Sequence, residues 1–374
     1  MAGIYFHIPF CQKKCTYCDF YKSTNTDLID DYLNAVSIEI ELQRDYLEGD
    51  VVETIYFGGG TPSLLKPVQL AAMLSLCRSV FEVKPDAEIT VEANPDDLNF
   101  GFLEDLRTTG VNRLSIGVQS FSDTDLQFMG RRHNAQQAVD AVVNAQRAGF
   151  SNISLDLIYG VPGMPFEQWE KNLQQVFDLK VQHLSAYHLT YHKGTKLWKA
   201  LQTHKISEVS DDVSEQQFNV LVNKAVVNGF EQYEISNFAV NRQYSKHNTS
   251  YWQRTKYLGL GPSAHSYNQQ SRQWNVASVK KYIDGIKNRK VPSKIEMLTI
   301  NDHYNEFVMT GLRTMWGVDT ILAARLFGED SSEYLFQQSE KYVQSGHLVY
   351  DNNTIKLTQK GILLSDAIMV DLMM

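Results

Sequence analysis

The sequence predicts an α/β fold, a partial (β/α)6 barrel followed by a smaller C-terminal α+β domain of winged-helix-like form. Short β-rich runs alternate with longer amphipathic stretches to about residue 190, the pattern of βαβ units. Polar or glycine-rich residues recur at the ends of those runs, where the loops of parallel α/β folds converge on a ligand. Beyond about residue 195 the alternation fades, and the last segment reads as helices with a hairpin.

The elements follow in order. "GIYFHI" (3–8) is the first strand, and a helix from Leu28 to Leu47 carries Leu28, Tyr32, Leu33, Val36 and Ile40 on one face. On this reading Glu39 and Glu41 form its solvated face. "ETIYF" (53–57) is the second strand, with a helical stretch after Lys66. "AEITVEA" (87–93), "RLSIGVQ" (113–119), "ISLDLIYG" (153–160) and "HLSAYHL" (183–189) complete six parallel strands. A helix at 213–229 and a strand in "GFEQYEISNFA" lead away from the barrel. The stretch 241–300 reads as loop-rich. In "HLVYDNNTIKLTQKG" (347–361), "LVY" and "IKLT" flank a turn-prone "DNN". Three units result: 1–232, a connecting region 233–300, and a C-terminal domain 301–374.

Composition narrows the function. The chain has 374 residues, 43% hydrophobic and 21% charged, enough for one large domain and an appendage. Its formal charge of −8 and lack of clustered Lys or Arg argue against a nucleic-acid surface. No apolar run approaches the roughly 20 residues that span a bilayer, and "MAGIYFHIPF" has no signal-peptide character. The expected location is the cytoplasm. Thiols stay reduced there, so clustered cysteines point to metal or catalysis rather than disulfides.

Three of the four cysteines, Cys11, Cys15 and Cys18, follow the first strand as C-x3-C-x2-C. "GGGTP" (58–62) follows the second, and Glu92, Gln119 and Asp156 sit in or at the ends of the third, fourth and fifth. All fall at one rim. Three thiolates in one loop can hold three irons of a cubane cluster and leave the fourth open. The competing reading is a structural zinc with His7 as fourth ligand. A closed zinc site has no need of a glycine-rich loop on the next strand, whereas an open iron needs a small molecule to complete it. Cys77, in "MLSLCRSV", reads as a small buried hydrophobe.

The three-cysteine spacing resembles the signature of the radical S-adenosylmethionine (SAM) superfamily, which implies a [4Fe-4S] cluster and SAM in a partial radical SAM barrel. "YFHIPFC", "GGGTPS", "EANPD", "GVQSF", "DLIYGVPG" and "EFVMTGLR" are further similar to the family that holds oxygen-independent coproporphyrinogen III dehydrogenase and the heme chaperone HemW. That resemblance makes 301–374 a HemN-like C-terminal domain. It also implies that Tyr5 and Tyr17 flank the cluster and SAM, and that Gly59, Gly60 and Thr61 meet the methionyl group. Glu92, Gln119 and Asp156 would supply polar contacts, and Arg131 would face the SAM carboxylate.

Two details separate the members. Where the dehydrogenase carries a further cysteine two positions after the third, this chain has Phe20, which argues against dehydrogenase activity. "KHNTSYW" (246–252) matches an H-N-x-x-Y-W motif associated with the chaperone, which implies His247 as an axial heme ligand outside the barrel. The expected function is therefore that of a heme chaperone delivering heme to a heme-accepting protein, the alternative being oxidative decarboxylation of coproporphyrinogen III. The sequence leaves room for a homodimer.

Overall fold

The structure is a computed structural model that describes residues 1–374. Six strands lie parallel and adjacent in chain order: β1 (Ala2–Ile8), β2 (Val52–Gly59), β3 (Val83–Ala93), β4 (Arg113–Gln119), β5 (Ile153–Tyr159) and β6 (His183–His188). β1, β2, β4 and β5 are buried almost continuously, as expected when both faces of a parallel sheet are covered. The crossover helices are defined by their own ends. Helix Ala135–Arg147 starts from a reciprocal cap between Asn134 and Gln137 and buries Ala138, Ala141, Val142 and Ala145. The first helix runs over Ile29–Leu42 and stops short of the expected Leu47. The chain turns after Gln43 and drops Leu47 into the core, 1% exposed.

The largest departure lies beyond the barrel. The strand expected to lead away is two strands, β7 (Phe230–Gln232) and β8 (Asn237–Val240), and β8 folds back antiparallel on β6. The turn between them is held by Glu234, whose carboxylate accepts from Ser236 N at 3.0 Å and from the Asn237 side chain. The stretch expected to be loop-rich supplies β9 (Lys256–Leu260), β10 (His265–Tyr267), β11 (Ser271–Asn275) and β12 (Ser293–Met297). Strand β9 pairs parallel with β1, and the next three follow antiparallel, giving a 12-stranded sheet in the order β12-β11-β10-β9-β1-β2-β3-β4-β5-β6-β8-β7.

Glu39 fastens this extension and corrects the expectation of a solvated face. It is 0% exposed, and its carboxylate accepts from Gly261 N (2.8 Å), Asn275 Nδ2 (2.6 Å) and Tyr282 Oη (2.5 Å). Burial pushes its pKa up to about 7. One apolar core runs from Ala2 to Ile286, and a second of 12 residues, including Tyr304, Phe307, Leu335 and Ile355, belongs to the C-terminal segment. There β13 (Val318–Asp319), β14 (Leu348–Asp351) and β15 (Thr354–Leu357) form a small sheet. Asn352 and Asn353 take φ of 48° and 61° between β14 and β15, the left-handed pair a tight hairpin needs.

Candidate functional site

The cysteine loop leaves β1 and closes on itself. Cys11 N donates to Ser23 O at 2.9 Å, and Ser23 N to Pro9 O at 2.6 Å. Neighbouring loops tie down its middle: Thr16 N donates to Met129 O (3.0 Å), and Thr16 O accepts from Leu197 N (3.0 Å). Cys11 is buried, while Cys15 and Cys18 are half-buried. Two donors reach the sulfurs, Thr61 Oγ1 to Cys11 Sγ at 3.5 Å and Arg131 Nη1 to Cys15 Sγ at 3.4 Å. Burial raises the Cys11 pKa, and the Thr61 hydroxyl counters it. His7 does not complete a zinc set: its Nε2 meets Tyr21 O at 2.9 Å and its Nδ1 Tyr5 Oη at 3.2 Å. No trio of His, Cys, Asp or Glu side chains converges on a single-ion position. A cubane instead takes each thiolate on a different iron, and the donor set of three thiols with hydrogen bonds to sulfur fits that group.

The glycines after β2 are required by the protein itself. A Cβ at Gly60 would lie 2.7 Å from Ile8 O and from Phe10 O, and one at Gly59 would lie 2.6 Å from His7 Nδ1. Gly59 also has φ +102°. These glycines let the loop lie flush against the root of the cysteine loop, a demand separate from the expected approach of SAM.

Glu92, Gln119, Arg131 and Asp156 gather beside that loop. Glu92 accepts from Gly59 N at 3.0 Å and Tyr56 Oη at 2.9 Å, and burial pushes its pKa up to about 7. Asp156 accepts from Ser115 Oγ at 3.4 Å and is pushed up to about 6 by burial, with the Ser185 hydroxyl and then Arg113 holding it back. Gln119 ends β4 at φ +69°, a strained setting for a residue with a side chain. Arg131 donates through Nη2 to Asn94 Oδ1 (2.7 Å) and Gly117 O (2.6 Å). Its buried Nε has no partner. Tyr17, whose pKa burial raises, is close enough to feel Arg131, Cys15 and Asp156.

Three participants went unrecognised in the sequence. Arg113, 1% exposed, lies 4.0 Å from Glu88 beneath the carboxylates, and its signal was a cation opening an otherwise apolar strand. Asn94 holds Arg131 from within "EANPD". Arg132 pairs with Asp96 at 3.1 Å and Asp97 at 2.9 Å, which ties the loops after β3 and β4 together.

His247 lies elsewhere than expected. Helix Lys246–Trp252 packs under β1 and β2, and His247 is 1% exposed, its ring stacked on Tyr56 at 5.0 Å and Tyr5 at 6.3 Å. Its Nδ1 meets Thr54 Oγ1 at 2.8 Å and its Nε2 meets Tyr251 Oη at 2.8 Å. Burial and Arg113 push its pKa down to about 3, so the ring is neutral. The axial-ligand expectation therefore meets an imidazole with both nitrogens engaged. Its neighbours Tyr251 and Trp252 line a cleft of about 540 Å³ that also touches Tyr5, Phe20, Tyr257 and His265. Arg254, Arg272 and, from the C-terminal domain, Met309 close it.

Comparison with known proteins bears on family and fold. Residues 5–176 match the radical SAM superfamily, and residues 298–364 match the HemN C-terminal domain. The chain is 34% identical over 372 residues to the heme chaperone HemW of Bacillus subtilis, covering 98% of each. It is 31% identical to the mitochondrial radical S-adenosyl methionine domain-containing protein 1 of Bos taurus, across 100% of this chain and 87% of that one. In fold it is similar to coproporphyrinogen III oxidase from Escherichia coli, with a TM-score of 0.86 at 24% identity over 99% of this chain and 89% of that one.

Proposed function

The chain belongs to the radical SAM superfamily and, within it, to the family of the heme chaperone HemW, and from that premise we propose that it binds heme and hands it to a heme-accepting protein. The proposal includes a [4Fe-4S] cluster on Cys11, Cys15 and Cys18. When bound, the cluster offers one iron without a thiolate, which takes the amino and carboxylate groups of SAM. The chain's own residues shape that space. Glu92 holds the Gly59 turn, the strained Gln119 and Asp156 stand ready for ribose hydroxyls, and Arg131 braces Cys15 and keeps its Nε for a carboxylate. Gly59, Gly60 and Thr61 are assigned to the methionyl end, with Tyr5 and Tyr17 flanking.

The observation that carries the chaperone reading is Phe20. It is 65% exposed and lines the aromatic cleft from the cysteine loop itself. A large flat apolar cargo and the cluster would therefore share a wall. The same residue occupies the position of the dehydrogenase's further cysteine, which favours cargo binding over decarboxylation.

Hemin titration of the purified chain, run beside an assay for SAM-dependent conversion of coproporphyrinogen III, tests this. Saturable heme binding without conversion is expected; conversion would establish the dehydrogenase instead. The location proposed is the cytoplasm, where thiols stay reduced and Cys11, Cys15 and Cys18 are kept available to a cluster. Sedimentation of the heme-loaded protein would read a homodimer directly.

A further inference from the structure

The cleft beside the cysteine loop contains an imidazole whose ring makes no hydrogen bond. His265, at the start of β10, lines the cleft and is exposed. Its ring is held from behind by its cross-strand partner Trp274, at 6.2 Å between centroids and 20° between planes. A glycine makes the placement feasible: a Cβ at Gly259 would lie 2.0 Å from His265 O, so only glycine lets β10 approach β9 so closely. Gly259 N then donates to Ser266 Oγ at 2.9 Å and fixes the register.

Among the guanidiniums of the cleft, Arg272 is already paired with Glu306 and Glu296. Arg254 forms no ion pair and lies 4.8 Å over the Phe307 ring. The volume of about 540 Å³ is in the usual range for sites that enclose a small molecule.

We propose that His265 is the axial ligand offered to heme iron in this cleft and that Arg254 receives a propionate, while His247 stays buried behind Tyr251, outside the cleft lining. The assignment rests on the heme-chaperone reading above. A neutral imidazole coordinates iron through a free lone pair, which His265 has, whereas both ring nitrogens of His247 are engaged, one donating and one accepting, by Thr54 and Tyr251. Arg254 supplies a planar fork suited to a carboxylate. Partial enclosure by the cleft and the Arg272 charge lower the His265 pKa, a shift in the direction of the neutral, coordinating ring.

Hemin titrations of the full chain, read by the Soret band and by electron paramagnetic resonance of ferric heme, test the assignment. His265→Ala is expected to shift the Soret band and weaken binding by about tenfold or more. Free imidazole should restore the wild-type spectrum. His247→Gln, which can keep a bond to Tyr251, should retain the wild-type band position. Iron-free protoporphyrin IX needs no axial ligand, so Arg254→Ala should weaken its binding while His265→Ala does not.

A wild-type spectrum in His265→Ala would overturn the ligand assignment alone, as would a band shift in His247→Gln with none in His265→Ala. Thermal unfolding of each variant guards against misfolding. A wild-type chain that binds no hemin would overturn the heme reading and this assignment together.

Discussion

The rim at the carboxyl ends of β1 to β5 and the wall that β9 to β12 add to β1 meet at Tyr5, yet they are built on different terms. On the rim each contribution follows its own strand: cysteines after β1, glycines after β2, Glu92, Gln119 and Asp156 on the next three. The wall depends on a parallel pairing between Ala2–Phe6 and Lys256–Leu260, segments about 250 residues apart. It is held by Glu39, a buried carboxylate that meets donors at 261, 275 and 282. A site made of strand ends announces itself in a βα pattern. A surface made by a distant edge strand does not.

The strongest contrast is in the cluster. Cys15→Ala should abolish a SAM-sensitive electron paramagnetic resonance signal of the reduced cluster, whereas Cys77→Ala should leave it intact, because Cys77 is 0% exposed in the helix Pro67–Val80, away from the loop. Equal loss in both would break the distinction between rim and core.

Gly60→Ala comes next. Its new Cβ would meet two backbone carbonyls at 2.7 Å that cannot swing aside, so a loss of about 3 kcal/mol in unfolding free energy and of most cluster iron is expected. Gly163→Ala, at φ +78° with open space around it, should cost about 1 kcal/mol and keep the iron. Denaturant melts with iron analysis compare the two. A Gly60→Ala protein with full iron would show that the flush packing of the two loops is dispensable.

Glu39→Gln probes the wall through pH. The folded pKa of Glu39, about 7, lies above its ordinary 4.5, so the protonated form is favoured by folding. Its contribution is fully present below the ordinary value and is lost as pH rises through about 7. The Gln variant should therefore gain on wild type as pH rises, approaching about 3 kcal/mol well above neutrality. A pH-independent difference in urea midpoints would mean that Glu39 is ionised without penalty.

The smallest effect on stability belongs to Phe20→Ser, within about 0.5 kcal/mol for so exposed a side chain, yet hemin affinity should fall measurably. Unchanged affinity would detach the cleft from the cysteine loop.

Most of the barrel and the rim were legible from "GIYFHI" to "HLSAYHL", since each strand is a compact apolar run. The wall was not. Its strands are three to five residues long, and β11, "SRQWN", alternates buried and part-exposed residues without an apolar run. The setting of His247 was hidden for a related reason: spacing places His247 and Tyr251 on one helix face, but only the packing beneath β1 and β2 puts Tyr251 rather than His247 in the cleft lining. Glu39 misled because a carboxylate on a helix is ordinarily solvated, and its three donors come from a segment whose position the helix pattern cannot report.

Anaerobic titration of the cluster-loaded chain with hemin tests the central claim most directly. The account predicts saturation near one heme per chain, with a Soret band that differs from free hemin and cluster iron unchanged. Absence of a saturable heme spectrum, or displacement of the cluster as heme binds, would contradict it.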